Sequence, residues 1–255
     1  MTGGRFGTAG ERLVIEECMS GPEVSFFVLS DGTRALPIGT AQDHKRIFDD
    51  DLGPNTGGMG AFAPSPLMND SLHEQVMREV VHPVIAGMAE EGCPFRGFLY
   101  VGLMLTVTGP RVIEFNVRLG DPEAQVILPR IAQPLTPLLE AAAKGALDAT
   151  QCELSDEAVV GVVLASRGYP ESSESGQVIT GVSDAEQRGT MVIHAGTATD
   201  GTSLVTAGGR VLTVVARGHD FPAAIDRAYE GVRAIEFSGK QFRSDIGRKA
   251  LQPQL

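Results

Sequence analysis

The stretch Val112 to Glu123, reading VIEFNVRLGDPE, constrains the fold most, because it demands a strand with chemistry on one face and a turn at its end. Val112, Ile113, Phe115 and Val117 are β-formers, and alternation sends Ile113, Phe115 and Val117 to one side while Glu114, Asn116 and Arg118 share the other. A carboxylate and an amide oxygen at this spacing suit a hard divalent cation beside a polyphosphate, with Arg118 free to meet phosphate or acyl oxygens. Gly120 permits a turn, and Asp121-Pro122 reads as an N-cap followed by the first helical residue. An isolated E-x-N-x-R triplet also fits a solvated edge strand, so its neighbours must decide.

The chain has 255 residues, enough for two ordinary domains, and 42% hydrophobic residues, enough for real cores. A formal net charge of −11 argues against a nucleic-acid or anionic-membrane surface and leaves phosphate binding to local clusters. Cys18, Cys93 and Cys152 are odd in number and lack C-x-x-C spacing, so neither a disulfide framework nor a zinc site is indicated. With no long apolar run and no signal-type start, the expected compartment is the cytoplasm, where the sequon at Asn69 has no meaning.

Met1 to Gly10 is polar and glycine-rich, and Leu13 to Glu17 reads as a short buried strand ending in two carboxylates. Glu23 to Ser30, the turn Asp31-Gly32 and Thr33 to Ala41 form a hairpin. Gln42 to Phe62 follows as a long irregular loop, with cations at Lys45 and Arg46 and backbone amides across Gly53 to Gly60 that suit a phosphate. It is not a Walker A sequence, and on these residues alone a flexible surface loop reads equally well.

Ser71 to Glu74 is a capping box opening a helix to Glu91, with Leu72, Val76, Val80, Val84 and Met88 on one face, a disturbance at Pro83 and Gly92 as C-cap. Gly97 to Val107 and the Glu114 strand pair antiparallel, and helices follow over Pro122 to Ile131 and Leu135 to Leu147. Asp148 to Asp156 is a polar connection and the expected domain boundary. Beyond it, strands at Ala158 to Ser166, Met191 to Ala195 and Val211 to Ala216 and a helix from Pro222 to about Ile235 make a small α+β domain.

The strings FGTAG, VIEE, SFFVLSDG, QDHKR, GPNTGGMGAF, GFLYVGLM, IEFNVRLGDPE, HAGT, AGGRVL and SDIGRKAL together resemble the phosphoribosylamine–glycine ligase family of the ATP-grasp superfamily. The resemblance implies an α+β fold: a remnant of the ATP lid over 1–10, an ATP-grasp half-domain with an antiparallel sheet over 11–150, and a C-terminal domain over 157–255. It implies ATP and a divalent ion, Mg2+ or Mn2+, with Glu114 and Asn116 as metal ligands. Glu16, Glu17, Cys18 and Met19 correspond to the hinge that meets adenine through its backbone, and Glu23 to the ribose ligand. Asp43, Lys45, Arg46, Asn55, Thr56, Gly57, Gly58 and Glu123 correspond to the glycine and phosphoribosylamine side. Arg118 and Asp121 correspond to residues at the transferred phosphoryl group.

The chemistry implied is formation of glycyl phosphate and ADP, then displacement of phosphate by the amine of 5-phosphoribosylamine, with catalysis by positioning and charge. His194 reads equally as a structural hydrogen-bonding residue. The family's upstream α/β domain and most of its lid have no counterpart here, so a separate chain carrying the N-terminal half is an expected partner. Two other readings stay open: another ATP-grasp carboxylate–amine ligase, and a non-catalytic remnant or assembly module.

Overall fold

A computed structural model describes residues 12–149 and 151–252. The lid remnant expected over 1–10 lies outside the described residues. β1 (Glu23–Asp31) and β2 (Ala35–Asp43) form the expected hairpin, and β3 (Arg46–Phe48), β4 (Leu52–Asn55) and β5 (Gly60–Ala63) follow. A helical stretch comprises α1 (Asp70–Val76), a π-turn (Met77–Val81) and α2 (His82–Glu90). Then come β6 (Arg96–Thr106), β7 (Gly109–Asn116), α3 (Ala124–Ile127) and α4 (Leu135–Lys144). The remainder holds β8 (Ala158–Ala165), α5 (Val182–Gln187), β9 (Met191–His194), β10 (Thr197–Asp200), β11 (Ser203–Thr206), β12 (Arg210–Gly218) and α6 (Phe221–Ala234).

Eight strands form one sheet in the order β7-β6-β1-β2-β5-β8-β12-β9, and each neighbouring pair is antiparallel. The connection at 148–156 falls between α4 and β8, and β5–β8 pairing carries the sheet across it, from Gly60 opposite Val162 to Ala63 opposite Val159. Strand β1 is central, so alternation buries both of its faces. Phe26 and Val28 pack with Val76, Val81 and Ile85 of the α1–α2 stretch, whereas Phe27 and Leu29 pack with Ile127, Leu138 and Ala142 of α3 and α4. Gly39, at φ +140°, makes room for α3: a Cβ there would stand 3.2 Å from Ile127 Cδ1. Beyond the connection, α6 buries Ala224, Ala228 and Val232 against β8 and β12.

Five expectations are corrected. Leu13 to Glu17 is not a buried strand: it pairs with no strand among the described residues, and Ile15 is 89% exposed, because nothing described covers this apolar run. The segment from Gln42 to Phe62 is not an irregular loop. β3 and β4 close a hairpin within it, β5 joins the sheet, and Asp50 and Asp51 take left-handed φ at 57° and 54°. The helix begins two residues earlier than its expected cap because Asn69, not Ser71, accepts from Leu72 N at 2.9 Å. The π-turn just before Pro83 then advances the helix phase, so the fully buried residues are Val76, Val81 and Ile85 and not the expected Val76–Val80–Val84 line. The helix after Asp121 begins at Ala124, since Asp121 is taken up by tertiary contacts described below.

The β1–β2 turn is fixed by one carboxylate. Asp31 is buried and accepts from Thr33 N (2.9 Å), Arg34 N (2.7 Å), Thr33 Oγ1 (3.0 Å) and Leu147 N (2.9 Å). Burial opposes its ionisation, but the amides of Arg34, Thr33 and Leu147 outweigh it and bring the pKa from 3.8 to about 2. The folded pKa is depressed, so this stability is present above 3.8 and lost as pH falls through about 2. Asp31→Asn should cost about 1–3 kcal/mol in denaturant unfolding at pH 7, and the gap from wild type should close at pH 2. An equal gap at both pH values would contradict the role assigned to the carboxylate.

Candidate functional site

Two clefts meet at Asp43 and Lys45, where β2 ends. The larger, of about 620 Å³, is lined by Glu23, Gln42, Arg46, Asp51, Asn55 and Lys249 among others, with Pro22, Pro66 and Leu67 as its apolar wall. The second, of about 490 Å³, is lined by Gly57, Tyr100, Glu114, Asn116, Arg118, Asp121, Glu123 and Arg210. Asp43 and Lys45 face both.

Local sequence explains this convergence. β7 is one edge strand of the sheet, with Phe115 42% exposed while Glu114 and Asn116 turn to the cleft. Lys45 follows β2 directly and reaches back to β1, with Nζ 2.5 Å from Glu23 Oε2 and 3.4 Å from Asp43 Oδ1. Burial works against its charge, but Asp43 and Glu23 prevail and hold the ammonium above the ordinary lysine range.

Glu123 is only 5% exposed and accepts a hydrogen bond from Ser25 Oγ at 3.3 Å. Burial, reinforced by the Asp43 carboxylate, pushes its pKa up to about 7. Asp43 is raised as well, by burial and only partly offset by Lys45. Burial and the neighbouring carboxylates push the Tyr100 hydroxyl up to about 12. Two buried carboxyls with raised pKa values beside an open cleft make a wall that a bound cation would relieve.

The glycine-rich loop is rigidly held. Thr56 Oγ1 donates to Lys45 O (2.9 Å) and accepts from Gly58 N (2.9 Å). Gly57 N donates to Tyr169 Oη at 2.8 Å. Gly58, at φ +115°, lies so near Pro122 that a Cβ would come within 2.4 Å of its Cδ.

The expected residues separate into groups. Asp43, Lys45, Gly57, Glu114, Asn116, Arg118, Asp121 and Glu123 come together on the second cleft, and Glu23, Arg46 and Asn55 on the first. Thr56 and Gly58 line neither and instead brace the loop. Glu16, Glu17, Cys18 and Met19 line neither cleft; Cys18 is exposed, and Glu17 pairs with Arg111 at 3.4 Å. Among the described residues no group of three or more His, Cys, Asp or Glu forms a metal cage. Glu114 and Asn116 both line the second cleft, and a carboxylate and an amide oxygen are donor types that suit a hard cation.

Comparison with known proteins decides the family. Residues 1–124 match the phosphoribosylglycinamide synthetase ATP-grasp (A) domain, and residues 159–249 match the C domain of the same synthetase. A phosphoribosylamine–glycine ligase of Mesorhizobium japonicum is 51% identical over 248 residues, which is 97% of this chain and 58% of that protein. The chain belongs to the phosphoribosylglycinamide synthetase family. It spans a little under three-fifths of the length of such relatives.

The crystal structure of a phosphoribosylamine–glycine ligase from Thermotoga maritima superposes with a TM-score of 0.82 at 35% identity, covering 90% of this chain and 56% of that one. A biotin carboxylase from Campylobacter jejuni shares the fold at a TM-score of 0.62 and 13% identity, over 93% of this chain and 51% of its own. Sequence reasoning missed Tyr100, Arg210 and Lys249, which line the clefts, Tyr169, which holds the loop, and Ser25, which bonds Glu123. Arg210 and Lys249 lay inside the strings AGGRVL and SDIGRKAL, which flagged the neighbourhood but not the contacts.

Proposed function

We propose that this chain carries the glycine-activating part of an ATP-dependent ligase that joins glycine to 5-phosphoribosylamine, forming glycinamide ribonucleotide, ADP and phosphate in purine biosynthesis. The observation that carries the proposal is the shared Asp43–Lys45 wall, which sets a cleft bearing Glu114 and Asn116 against a second bearing Glu23. In this reading Glu23 meets the nucleotide ribose and Lys45 the phosphates. Glu114 and Asn116 hold Mg2+ or Mn2+, which supplies charge neutralisation at the transferring phosphoryl group. Asp43 and Glu123 take the glycine ammonium, whose charge relieves their repulsion. That leaves the glycine carboxylate turned toward the nucleotide.

The carboxylate oxygen attacks the γ-phosphorus, and the bond to ADP breaks. The amine nitrogen of phosphoribosylamine then attacks the acyl carbon, the C–N bond forms and phosphate leaves. In this reading Arg118, which lines the same cleft and whose Nη1 donates to Leu119 O at 3.0 Å, supplies a cation to the developing negative charge. No side-chain nucleophile takes part. Residues 11–150 supply the nucleotide and metal groups, and residues 157–255 supply Arg210 and Lys249.

The test is calorimetric titration of Mg-ATP into the chain and its Glu114→Gln variant. Replacing the carboxylate by an amide should weaken binding about 10- to 100-fold, the equivalent of about 1.5–3 kcal/mol for a charge-assisted contact. The unfolding midpoint should not move, because Glu114 faces the cleft. A falling midpoint with unchanged nucleotide affinity would make Glu114 structural. Nucleotide binding with no response to glycine would favour a different carboxylate–amine ligase.

A further inference from the structure

Arg210 opens β12, far along the chain from the loops that form the second cleft, yet its guanidinium joins two of them. Nη1 donates to Gly57 O at 2.8 Å and to Asp121 O at 2.7 Å, and Nη2 pairs with Asp121 Oδ2 at 3.1 Å. The planar fork suits this task, since three acceptors on two separate segments are met from one rigid group. Tyr169 completes the clamp by accepting from Gly57 N at 2.8 Å, and its own ring lies over Gly209, where a Cβ would stand 2.4 Å from Cδ2. On the opposite side, Gly58 is pressed against Pro122. The glycine-rich loop and the Asp121 turn thus touch directly at Gly58 and Pro122 and are tied by hydrogen bonds through Arg210, and both line the cleft with Glu123 and Asn116.

We propose that Arg210 is a positioning residue for the acyl-transfer half of the reaction, holding the Gly57 peptide and the Asp121 turn in the register that keeps glycyl phosphate aligned for the amine. The inference rests on the glycine-ligase reading above and goes beyond it by assigning the coupling of the two chemical steps to one side chain. Arg210 makes no contribution to the larger cleft, whose lining is drawn from β1, β2, the β3–β4 hairpin, Pro66, Leu67 and the C-terminal segment. Loss of the clamp should therefore spare nucleotide binding and spoil the alignment of the intermediate, which then hydrolyses. Small displacements of this kind cost on the order of 100-fold in rate.

The experiment compares wild type, Arg210→Lys and Tyr169→Phe in the enzyme carrying this sequence, measuring ADP release and glycinamide ribonucleotide formation in parallel. Arg210→Lys keeps the charge but loses the fork. It should lower product formation on the order of 100-fold, while glycine-dependent ADP release falls less, so that ADP exceeds product. KM for ATP and the unfolding midpoint should stay at wild-type values. Tyr169→Phe should show the same uncoupling more weakly. Equal loss of ADP release and product, a raised KM for ATP or a lowered midpoint would overturn the assignment and make Arg210 a general structural residue. Absence of glycine-dependent ADP release in wild type would instead overturn the glycine-ligase reading itself.

Discussion

Arg243→Met should destabilise the chain by about 3–5 kcal/mol, because it removes one member of a buried charge network and leaves the rest uncompensated. Arg243 is 0% exposed and donates to Asp245 Oδ1 (2.7 Å) and Oδ2 (2.6 Å), to Asp51 Oδ1 (3.0 Å) and to Arg46 O (3.0 Å). Around it, Asp245 Oδ2 accepts from Asp50 N at 3.0 Å, Ser244 N donates to Asp49 at 2.8 Å, and Lys249 pairs with Asp51 at 2.6 Å. The C-terminal segment thereby holds the left-handed Asp50 and Asp51 in place, and with them the hairpin that turns Arg46 and Asn55 to the larger cleft. Arg243→Lys should fail almost as badly, since an ammonium cannot span both carboxylates and the carbonyl. Denaturant unfolding reads the effect. A loss below about 1 kcal/mol, the range of an exposed ion pair, would contradict the account.

Keeping His44 neutral in the fold should cost stability as pH falls from 6.5 toward 3. Its ring is buried beside Phe62, with centroids 5.8 Å apart, and neither ring nitrogen has a hydrogen-bond partner among the described residues. Burial, with Lys249 and Arg243 adding repulsion against the weaker pull of Asp245 and Asp51, lowers its pKa from 6.5 to about 3. In the unfolded chain the imidazole takes up a proton below 6.5, while in the fold it does not. The His44 contribution to stability therefore falls with pH from 6.5 downward, by up to about 5 kcal/mol at pH 3. His44→Leu should be neutral or stabilising at pH 7, since both orphaned nitrogens go, and its stability relative to wild type should rise as pH falls from 6.5 to 4. The carboxylates of Asp31 and Asp245, each held at about 2, begin to lose their contribution only below 3.8. Glu123, raised to about 7, adds stability as pH falls from 7 and opposes His44 in the same window, so the His44 contribution is read as the difference between variant and wild type. An unchanged slope in the variant would assign the acid sensitivity elsewhere.

What the sequence made legible follows from the range of each interaction. Periodicity placed β1, β6, β7, β8, β12 and α6, because alternation and the 3.6 repeat are written in neighbouring residues. The grouping of Glu114, Asn116 and Arg118 on one side was readable for the same reason. The segment from 42 to 62 was opaque because its strands are short and its order comes from distant partners: Arg243 and Ser244 at one end, Tyr169 and Arg210 at the other. Asp121 carried a good N-cap signature, yet Arg210 and Gln125 claim its oxygens, so a tertiary contact overrode a local preference. The π-turn was equally hidden. Pro83 announced a disturbance but not the one-residue shift that exchanges Val80 for Val81 in the core.

The most direct measurement of the central claim follows oxygen. The enzyme carrying this sequence is given ATP, Mg2+, 5-phosphoribosylamine and glycine labelled with 18O in its carboxylate, and the released phosphate is weighed by mass spectrometry. Activation of glycine as an acyl phosphate in the cleft of Glu114, Asn116 and Glu123 predicts that one labelled oxygen passes from glycine to phosphate in each turnover, and that hydroxylamine in place of phosphoribosylamine traps glycine hydroxamate. Turnover with unlabelled phosphate and no hydroxamate would mean that no glycyl phosphate forms, and the account of these clefts would be wrong.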